Sequence, residues 1–350
     1  MFRKFIEKLK SSKKAFVIFL ASVFVVGCVS TYLTLKITKM FVKEASVKTS
    51  DAYSKASPEP VDESKKGIFN VVFLGYGGGN HSGGGLTDSI IVLHVNSNTK
   101  RYTLISVPRD LWIQGGRKVN AEATINGYQG SSSAIGGITG LSIDNFVAID
   151  FGSFVKLIDS LGGINVDVPA SFTDNLYPIE GKENDVCGIS EDQINALKAQ
   201  YSDFNLEKQF TCRYETVSYE KGPATLDGTA ALKFVRSRHG DSDFGRSARQ
   251  FAVLKGIANR LISLKSVSKL DSTIDALSNM VKTDLTLGKI KTLLEAFGDT
   301  SSYTGTEISL TTENYLTEGK SSAGAYILYP KAGMYNYGEI KSYISSTTSQ

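Results

Sequence analysis

Residues 151–168 read FGSFVKLIDSLGGINVDV, and this stretch decides the class of fold. Its first part carries apolar side chains at helical spacing, namely Phe151, Phe154, Val155, Ile158 and Leu161. Gly162 and Gly163 then predict the end of a helix, and Ile164 to Val168 resumes the alternation of a strand. A helix, a glycine turn and a strand in direct succession are typical of α/β domains.

The sequence before this stretch predicts strands. Phe69 to Leu74 (FNVVFL) is a short β-rich apolar run that reads as a buried central strand. Ser89 to Val95 and Tyr102 to Val107 follow as two further strands, and the turn-prone residues 96–99 between them predict a hairpin.

The sequence after the stretch predicts two helices. Leu226 to Phe234 is the first, and a long helix begins after Phe244. Its apolar stripe should face the core and consists of Phe251, Leu254, Ile257, Ala258 and Leu261. Together these elements predict an α/β domain with a mixed central sheet covered on both faces.

The N-terminal region predicts a membrane anchor. Ala15 to Leu35 is uncharged and mainly apolar, which is long enough for a helix to cross a bilayer. The basic tail of residues 1–14 predicts a cytoplasmic N-terminus, and the polar linker of residues 36–66 then lies outside the cell membrane. Two alternatives stay open at this point, a cleaved signal peptide and acylation of Cys28, and both export the domain.

The distribution of charge argues against a nucleic-acid partner. The chain has 350 residues and a formal net charge of +4. Residues 1–43 hold nine Lys or Arg and one acidic residue, so the rest of the chain carries −4. A nucleic-acid-binding domain is expected to carry its positive charge on the folded part.

Cys187 and Cys212 flank a polar stretch, and in an exported domain we expect them to form a disulfide. The alternative is two unrelated buried thiols, because the spacing matches no metal-binding pattern.

Three segments contain candidate functional residues. The glycine-rich loop of residues 75–85 leads to Asp88, a carboxylate that is suited either to binding a cation or to capping a turn. Arg109 and Asp110 follow the strand that ends at Val107, where an arginine can reach a ligand or form a surface ion pair.

The third segment, residues 236–250, is rich in arginine. Arg236 and Arg238 should project from one face of an extended segment. Arg246, Arg249 and Gln250 should share one face of the following helix. Converging guanidinium groups need an anion or neutralising carboxylates such as Asp241 and Asp243, and a pyrophosphate suits their bidentate geometry.

The order of these motifs resembles the LytR-CpsA-Psr family of cell-wall glycopolymer phosphotransferases. The matching stretches are Asn70–Gly75, Leu86–Ile90, Ser106–Asp110, Lys118–Ala121, Asp159–Ile164, Leu226–Leu232 and Arg236–Gln250. The resemblance implies one extracytoplasmic domain over residues 67–350, with a core at 69–265 that contains the motifs and a C-terminal part at 266–350 that matches more weakly. It also implies an α/β/α fold with a pocket for a polyprenyl chain beside an arginine-lined, Mg²⁺- or Mn²⁺-assisted pyrophosphate site. It further implies transfer of a phosphoglycan, such as teichoic acid or capsule, from a polyprenyl-pyrophosphate carrier to peptidoglycan.

By position, the resemblance implies roles for several residues. Pyrophosphate binding falls to Arg109, Lys118, Arg236, Arg238, Arg246 and Gln250, and catalysis falls to Asp88, Arg109, Arg238, Asp243 and Arg246. Asp88 is also the expected metal ligand.

The chain departs from the family pattern at two positions. Gly77 and Leu86 stand where the family usually has an aspartate and an arginine, so either Asp88 binds metal with fewer protein ligands or another group in the glycine-rich loop, such as His81, substitutes. A non-catalytic lipid- or glycan-binding envelope protein and a secreted pyrophosphatase remain alternatives to the transferase.

Overall fold

A computed structural model describes residues 67–78, 84–265, 280–286 and 302–349 of the chain. The expected cytoplasmic tail, anchor and linker, together with Cys28 and His81, lie outside these ranges. Within them, no helix combines the length and the apolar character that crossing a membrane requires. The anchor therefore stays a prediction.

A mixed six-stranded sheet forms the centre of the described domain, in the order β11, β6, β1, β2, β3, β12. Its strands are β1 (Ile68–Tyr76), β2 (Thr87–Asn96), β3 (Arg101–Ser106), β6 (Asn145–Asp150), β11 (Lys282–Thr283) and β12 (Thr304–Ser309). The pairs β1–β6 and β3–β12 are parallel, and the remaining pairs are antiparallel.

The described helices are α1 (Glu122–Thr139), α2 (Phe151–Ser160), α3 (Glu191–Gln200), α4 (Asp203–Glu207), α5 (Gly228–Arg236), α6 (Asp243–Lys265) and α7 (Gly338–Thr348). Smaller strand pairs surround the sheet, namely β4 (Trp112–Ile113) with β5 (Arg117–Lys118), β7 (Ile164–Val168) with β10 (Gly222–Leu226), β8 (Phe172–Pro178) with β9 (Tyr214–Tyr219), and β13 (Leu316–Lys320) with β14 (Tyr326–Pro330).

Alternation along the central strands supplies both faces of the sheet with apolar side chains. On one face, Val72 and Ile90 pack in a core with Ile135 of α1 and Ile340 of α7. On the other face, Ile91 packs with Phe251 of α6. Helices α2, α5 and α6 share a further core with β7 and β10. This arrangement confirms the predicted mixed α/β fold with a central mixed sheet.

The predicted hairpin corresponds to β2 and β3, and the opening stretch forms α2 and β7 as expected. The helix predicted over Leu226 to Phe234 is α5, and it starts at Gly228 because Leu226 is the last residue of β10. Asp227 caps this helix by accepting a hydrogen bond from the backbone N–H of Ala230 at 2.8 Å.

One prediction about this region is wrong. Arg236 and Arg238 do not lie on one extended segment, because Arg236 is the last residue of the helix and Ser237 caps the C-terminal end of that helix. The N–H of Ser237 still donates to the carbonyl of Lys233, so the helical hydrogen bonds run past Arg236. The two arginines reach their common site from a helix end and from the loop that follows it.

Candidate active site

A cavity of about 750 Å³ lies between one face of the central sheet and helices α2, α5 and α6. Most of its lining is apolar, including Phe73, Val147, Phe154, Leu157, Leu232, Val253, Ile257 and Leu261. A volume of this size accommodates a substantial organic ligand, and an apolar lining favours a hydrocarbon.

Predicted polar side chains line this cavity from four parts of the chain. They are Asp88 near the start of β2, Arg109 after β3, Arg236 at the end of α5 with Arg238 in the loop that follows, and Arg246 with Gln250 on α6. The structure thus brings together most of the site residues that the sequence predicts. An apolar cavity beside several guanidinium groups suits a lipid with an anionic head group.

Asp88 enters the cavity because of a β-bulge. Gly75 pairs with Ser89 and Tyr76 with Thr87, so Asp88 is the extra residue on β2. Bulges of this kind redirect side chains next to functional sites. Asp88 accepts a hydrogen bond from Nη1 of Arg109 at 2.5 Å, and its side chain is 40% exposed.

Arg109 belongs to a chain of alternating charges. Its Nε lies 3.4 Å from Asp110, and Asp110 accepts a hydrogen bond from Nζ of Lys118 at 2.6 Å. Burial by itself would lower the pKa of Arg109, but its hydrogen bond to Asp88 and the charges of both carboxylates raise that pKa above its ordinary value. Arg109 therefore stays cationic.

Lys118 does not line the cavity, although the family resemblance implies that it binds pyrophosphate. Its ammonium group forms an ion pair with Asp110, and Asp110 also pairs with Arg109. The structure therefore gives Lys118 an indirect connection to the site, through Asp110.

Arg249 is placed differently from the prediction for its helix face. It is 1% exposed and does not line the cavity. Its guanidinium group donates to the carbonyls of Phe234 and Ser237 at 2.8 and 2.5 Å, and it also pairs with Asp241. Arg249 consequently fixes the loop that carries Arg238 instead of facing a ligand.

Asp174 also holds this loop, and no local sequence pattern predicts that role. This carboxylate is 1% exposed and lies at the edge of the cavity. Its Oδ2 accepts from the backbone N–H groups of Arg238 and His239 at 3.0 and 3.3 Å, and its Oδ1 accepts from Leu176 at 2.9 Å. Asp174 and Arg249 together fix the backbone on which Arg238 is presented.

Aromatic side chains surround Arg236. Its guanidinium carbon lies 4.2 Å from the ring centroid of Phe151, and its Nη1 is 3.4 Å from the hydroxyl of Tyr177. Burial raises the pKa of Tyr177 above its ordinary value even though Arg236 acts in the opposite direction, so the phenol stays protonated at neutral pH. Tyr177 and Phe151 line the cavity, and sequence reasoning missed both.

The donor set at Asp88 is small for a divalent cation. Among the described residues, the only place where three His, Cys, Asp or Glu side chains come close enough to share a metal ion is Asp185 with Cys187 and Cys212. Those two sulfurs are joined in a disulfide, as the sequence predicts, so this group is not a metal site. Magnesium is commonly bound by one or two carboxylates together with substrate phosphates, and Asp88 fits the minimum of that pattern.

Two predicted residues cannot be placed by their side chains. Asp243 is the first residue of α6, but its side chain lies outside what the structure describes. His81 lies outside the described ranges altogether. Their roles stay predictions.

The fold and the cavity together define an α/β domain whose apolar pocket has arginines in its lining, an arrangement that suits an amphiphile with an anionic head group. The model of the LytR_cpsA_psr family matches residues 36–333, and the chain belongs to this family.

Curated relatives carry transferase names. A polyisoprenyl-teichoic acid–peptidoglycan teichoic acid transferase TagU from Bacillus licheniformis is 28% identical over 80% of this chain and 81% of its own length. The TagU of Oceanobacillus iheyensis is 26% identical over 69% of this chain, and Bacillus subtilis TagV is 27% identical over 73%. The matches span 65% and 61% of the lengths of these two relatives.

Solved structures show the same fold. The crystal structure of Bacillus subtilis TagV superposes with a TM-score of 0.57 at 23% identity, covering 81% of this chain and 98% of that one. A structure described as TagT bound to LI-WTA gives a TM-score of 0.55 at 21% identity, covering 84% and 95%.

Proposed function

We propose that this protein transfers a phosphoglycan from a polyprenyl-pyrophosphate carrier to a cell-wall acceptor such as peptidoglycan. The observation that supports this most directly is the apolar cavity whose polar end contains Arg109, Arg236, Arg238 and Arg246. The names of the relatives favour a teichoic acid as the glycopolymer and peptidoglycan as the acceptor.

In the proposed reaction, an acceptor hydroxyl oxygen attacks the phosphorus that bears the glycan. A new P–O bond forms, the bond from that phosphorus to the bridging oxygen breaks, and polyprenyl phosphate leaves with the electron pair. Fixed guanidinium groups stabilise the negative charge that grows on the phosphate oxygens. In this proposal Asp88, whose carboxylate lines the cavity beside Arg109, either accepts the proton of the hydroxyl or binds the cation, in which case the proton passes to the departing polyprenyl phosphate.

We propose Mg²⁺ or Mn²⁺ as the cofactor, held by Asp88 and by oxygens of the pyrophosphate. A bound divalent cation would supply further neutralisation of phosphate charge. With Asp88 as the single protein ligand among the described residues, we expect the metal to bind weakly before the lipid does. Metal binding by the full chain, measured with and without a polyprenyl pyrophosphate, checks this order.

We further propose that the chain is anchored in the cell membrane by residues 15–35, with its N-terminus in the cytoplasm. Membrane lipid, the polyprenyl carrier and peptidoglycan would then be its partners, and all of them are present outside the cytoplasm. The apolar cavity supports this proposal, since a polyprenyl tail must pass from a bilayer to the protein.

A transfer assay tests the proposed reaction. Full chain in detergent is incubated with a polyprenyl-pyrophosphate-linked glycan and a peptidoglycan fragment, with and without magnesium. We expect coupled product from the wild type, and a loss on the order of 100-fold in Arg238→Ala. Arg101→Ala is the matched control, because Arg101 starts β3 and does not line the cavity.

One observation favours a second function. Asp88 is already paired with Arg109, and the described residues provide no second carboxylate in a metal-binding group with it. A protein that only binds polyprenyl-linked glycans would tolerate this arrangement. Tight lipid binding without coupled product would indicate the binding protein, whereas release of free phosphorylated sugar would indicate a pyrophosphatase.

A further inference from the structure

Phe204 is an exposed aromatic residue at the edge of the cavity. Its side chain is 45% exposed, although it is among the residues that line the cavity. Its ring stacks on the imidazole of His239, with centroids 4.8 Å apart and planes 11° from parallel. His239 also lines the cavity and directly follows Arg238 in sequence. A flat, partly exposed pair of rings therefore lies next to the arginine cluster.

The segment that carries Phe204 is fixed in place. Glu207, at the end of α4, accepts a hydrogen bond from Nη1 of Arg213 at 2.7 Å. Arg213 lies 3.9 Å over the ring of Phe210 and donates through Nε to the carbonyl of Asp185 at 2.7 Å. The disulfide from Cys187 to Cys212 joins the same two parts of the chain. Phe204 is therefore attached to a braced rim of the cavity.

The two ends of the cavity differ in chemistry. Phe73, Val147 and Leu261 provide an apolar wall on the side of the sheet and α6, which suits a hydrocarbon tail. His239 and Arg238 are both exposed, so the end that contains Phe204 opens to solvent. With the tail on the apolar wall and the pyrophosphate on the arginines, the group attached to the far phosphate would extend toward solvent, on the exposed side of the cavity where Phe204 and His239 lie.

We propose that Phe204, supported by His239, binds the first sugar of the carried glycan through the face of its ring. This inference rests on the proposed function, because it assigns a place to the saccharide of the same substrate. The axial C–H bonds of a pyranose carry partial positive charge, and the face of an aromatic ring is negative. Stacking on His239 holds the Phe204 ring in one orientation and so prepares it for this contact.

Equilibrium binding to the full chain in detergent tests the assignment separately from catalysis. The two probes are a short-chain polyprenyl pyrophosphate with one pyranose on its terminal phosphate and the same lipid without sugar. We expect the wild type to prefer the sugar-bearing lipid, and Phe204→Leu to weaken that ligand about fivefold while leaving the sugar-free lipid unchanged. Phe204→Tyr retains the ring and should retain the preference. Tyr326→Leu, which alters another exposed aromatic residue outside the cavity, should change neither affinity.

Three results would overturn the proposal. Equal weakening of both lipids in Phe204→Leu would make Phe204 part of the lipid wall, and no weakening of either would show that nothing bound touches it. Equal affinity of the wild type for both probes would remove the sugar contact itself. Failure of the proposed function looks different: wild-type protein that prefers the sugar-bearing lipid but makes no coupled product would leave the sugar contact standing.

Discussion

Arginines that lie close together repel each other, and three arginines of residues 109–249 have a compensating contact in the structure. Arg109 is paired with Asp88, and Arg236 lies over the ring of Phe151. Arg249 donates hydrogen bonds to two backbone carbonyl oxygens and to Asp241, and it does not line the cavity. The cluster is therefore prepared for an anion by the protein before any ligand arrives, which is the condition for strong electrostatic stabilisation of a transition state.

Asp174→Asn should weaken the site without touching a ligand. An amide keeps one acceptor oxygen, so it cannot serve both Leu176 and the backbone N–H groups of Arg238 and His239. We expect affinity for a polyprenyl pyrophosphate to fall about tenfold, since hydrogen bonds to a charged group contribute roughly 1.5–3 kcal/mol each. Asp167→Asn, an exposed change on β7, is the control. A folded Asp174→Asn protein with unaltered affinity would contradict the positioning role.

At the residue scale, the sequence predicts which charged residues line the cavity but not which residues hold the backbone around them. Arg109, Arg238 and Arg246 were found from spacing and strand ends, and all three line the cavity. Asp174 and Arg249 act on backbone groups up to 65 residues away. Such contacts depend on how separate elements pack, which local periodicity does not encode.

Elements were predictable where local signals agree. Apolar periodicity and the glycine pair after α2 gave the helix and its end, and Gly162 and Gly163 indeed have φ angles of +74° and +84°. The bulge at Asp88 was not predictable, because it depends on the register between β1 and β2. Register is a property of two strands, so one strand's sequence does not determine it.

Gly228→Ala tests how closely two elements that flank the cavity approach. A Cβ at Gly228 would lie 2.2 Å from the backbone carbonyl oxygen of Val155 in α2, which cannot move aside cheaply. We expect a loss of about 1–3 kcal/mol in the free energy of unfolding, measured by denaturant titration. Gly137→Ala is the matched helical control, because nothing lies within 4 Å of its Cβ position, and it should stabilise by about 0.5–1 kcal/mol. Equal effects of the two changes would refute the close approach of α2 and α5.

The disulfide braces the rim of the cavity across 25 residues of chain. Replacing Cys187 and Cys212 together by Ser should lower the free energy of unfolding by about 3 kcal/mol, because the unfolded chain regains the entropy of that loop. Reductant should destabilise the wild type to a similar extent and leave the double variant unaffected. A wild type that is insensitive to reductant under unfolding conditions would argue that the bond does not form.

At the scale of the whole described domain, the two faces of the central sheet differ in how tightly they are packed. The face toward α1 and α7 is closed by Ile135, Ile138 and Ile344, each fully buried. The face toward α2, α5 and α6 is only partly filled, and the space left over is the cavity. A domain with a fully packed second face can leave this volume open for a lipid without losing its core.

His94, a buried residue of β2, should make the stability of the domain sensitive to acid. It is 6% exposed, its Nδ1 lies 2.7 Å from Oδ1 of Asn70, and its Nε2 has no hydrogen-bond partner among the described residues. Because Nδ2 of Asn70 donates to the carbonyl of Ser142, Oδ1 is its acceptor and Nδ1 of His94 carries the proton. A second proton on Nε2 would bury an unpartnered charge, so burial lowers the pKa of His94 below its ordinary value of 6.5.

The sign of the resulting pH dependence follows from this shift. Just below pH 6.5, His94 binds a proton in the unfolded chain but stays neutral in the folded protein. The free energy of unfolding therefore has its full value above pH 6.5 and decreases as the pH drops below it. The slope attributable to this residue approaches about 1.4 kcal/mol per pH unit. Denaturant titrations between pH 5 and 7.5 should therefore show a flatter profile for His94→Asn than for the wild type. If His94→Asn keeps the full slope, other groups must carry the acid sensitivity, and the buried histidine is not the residue that sets it.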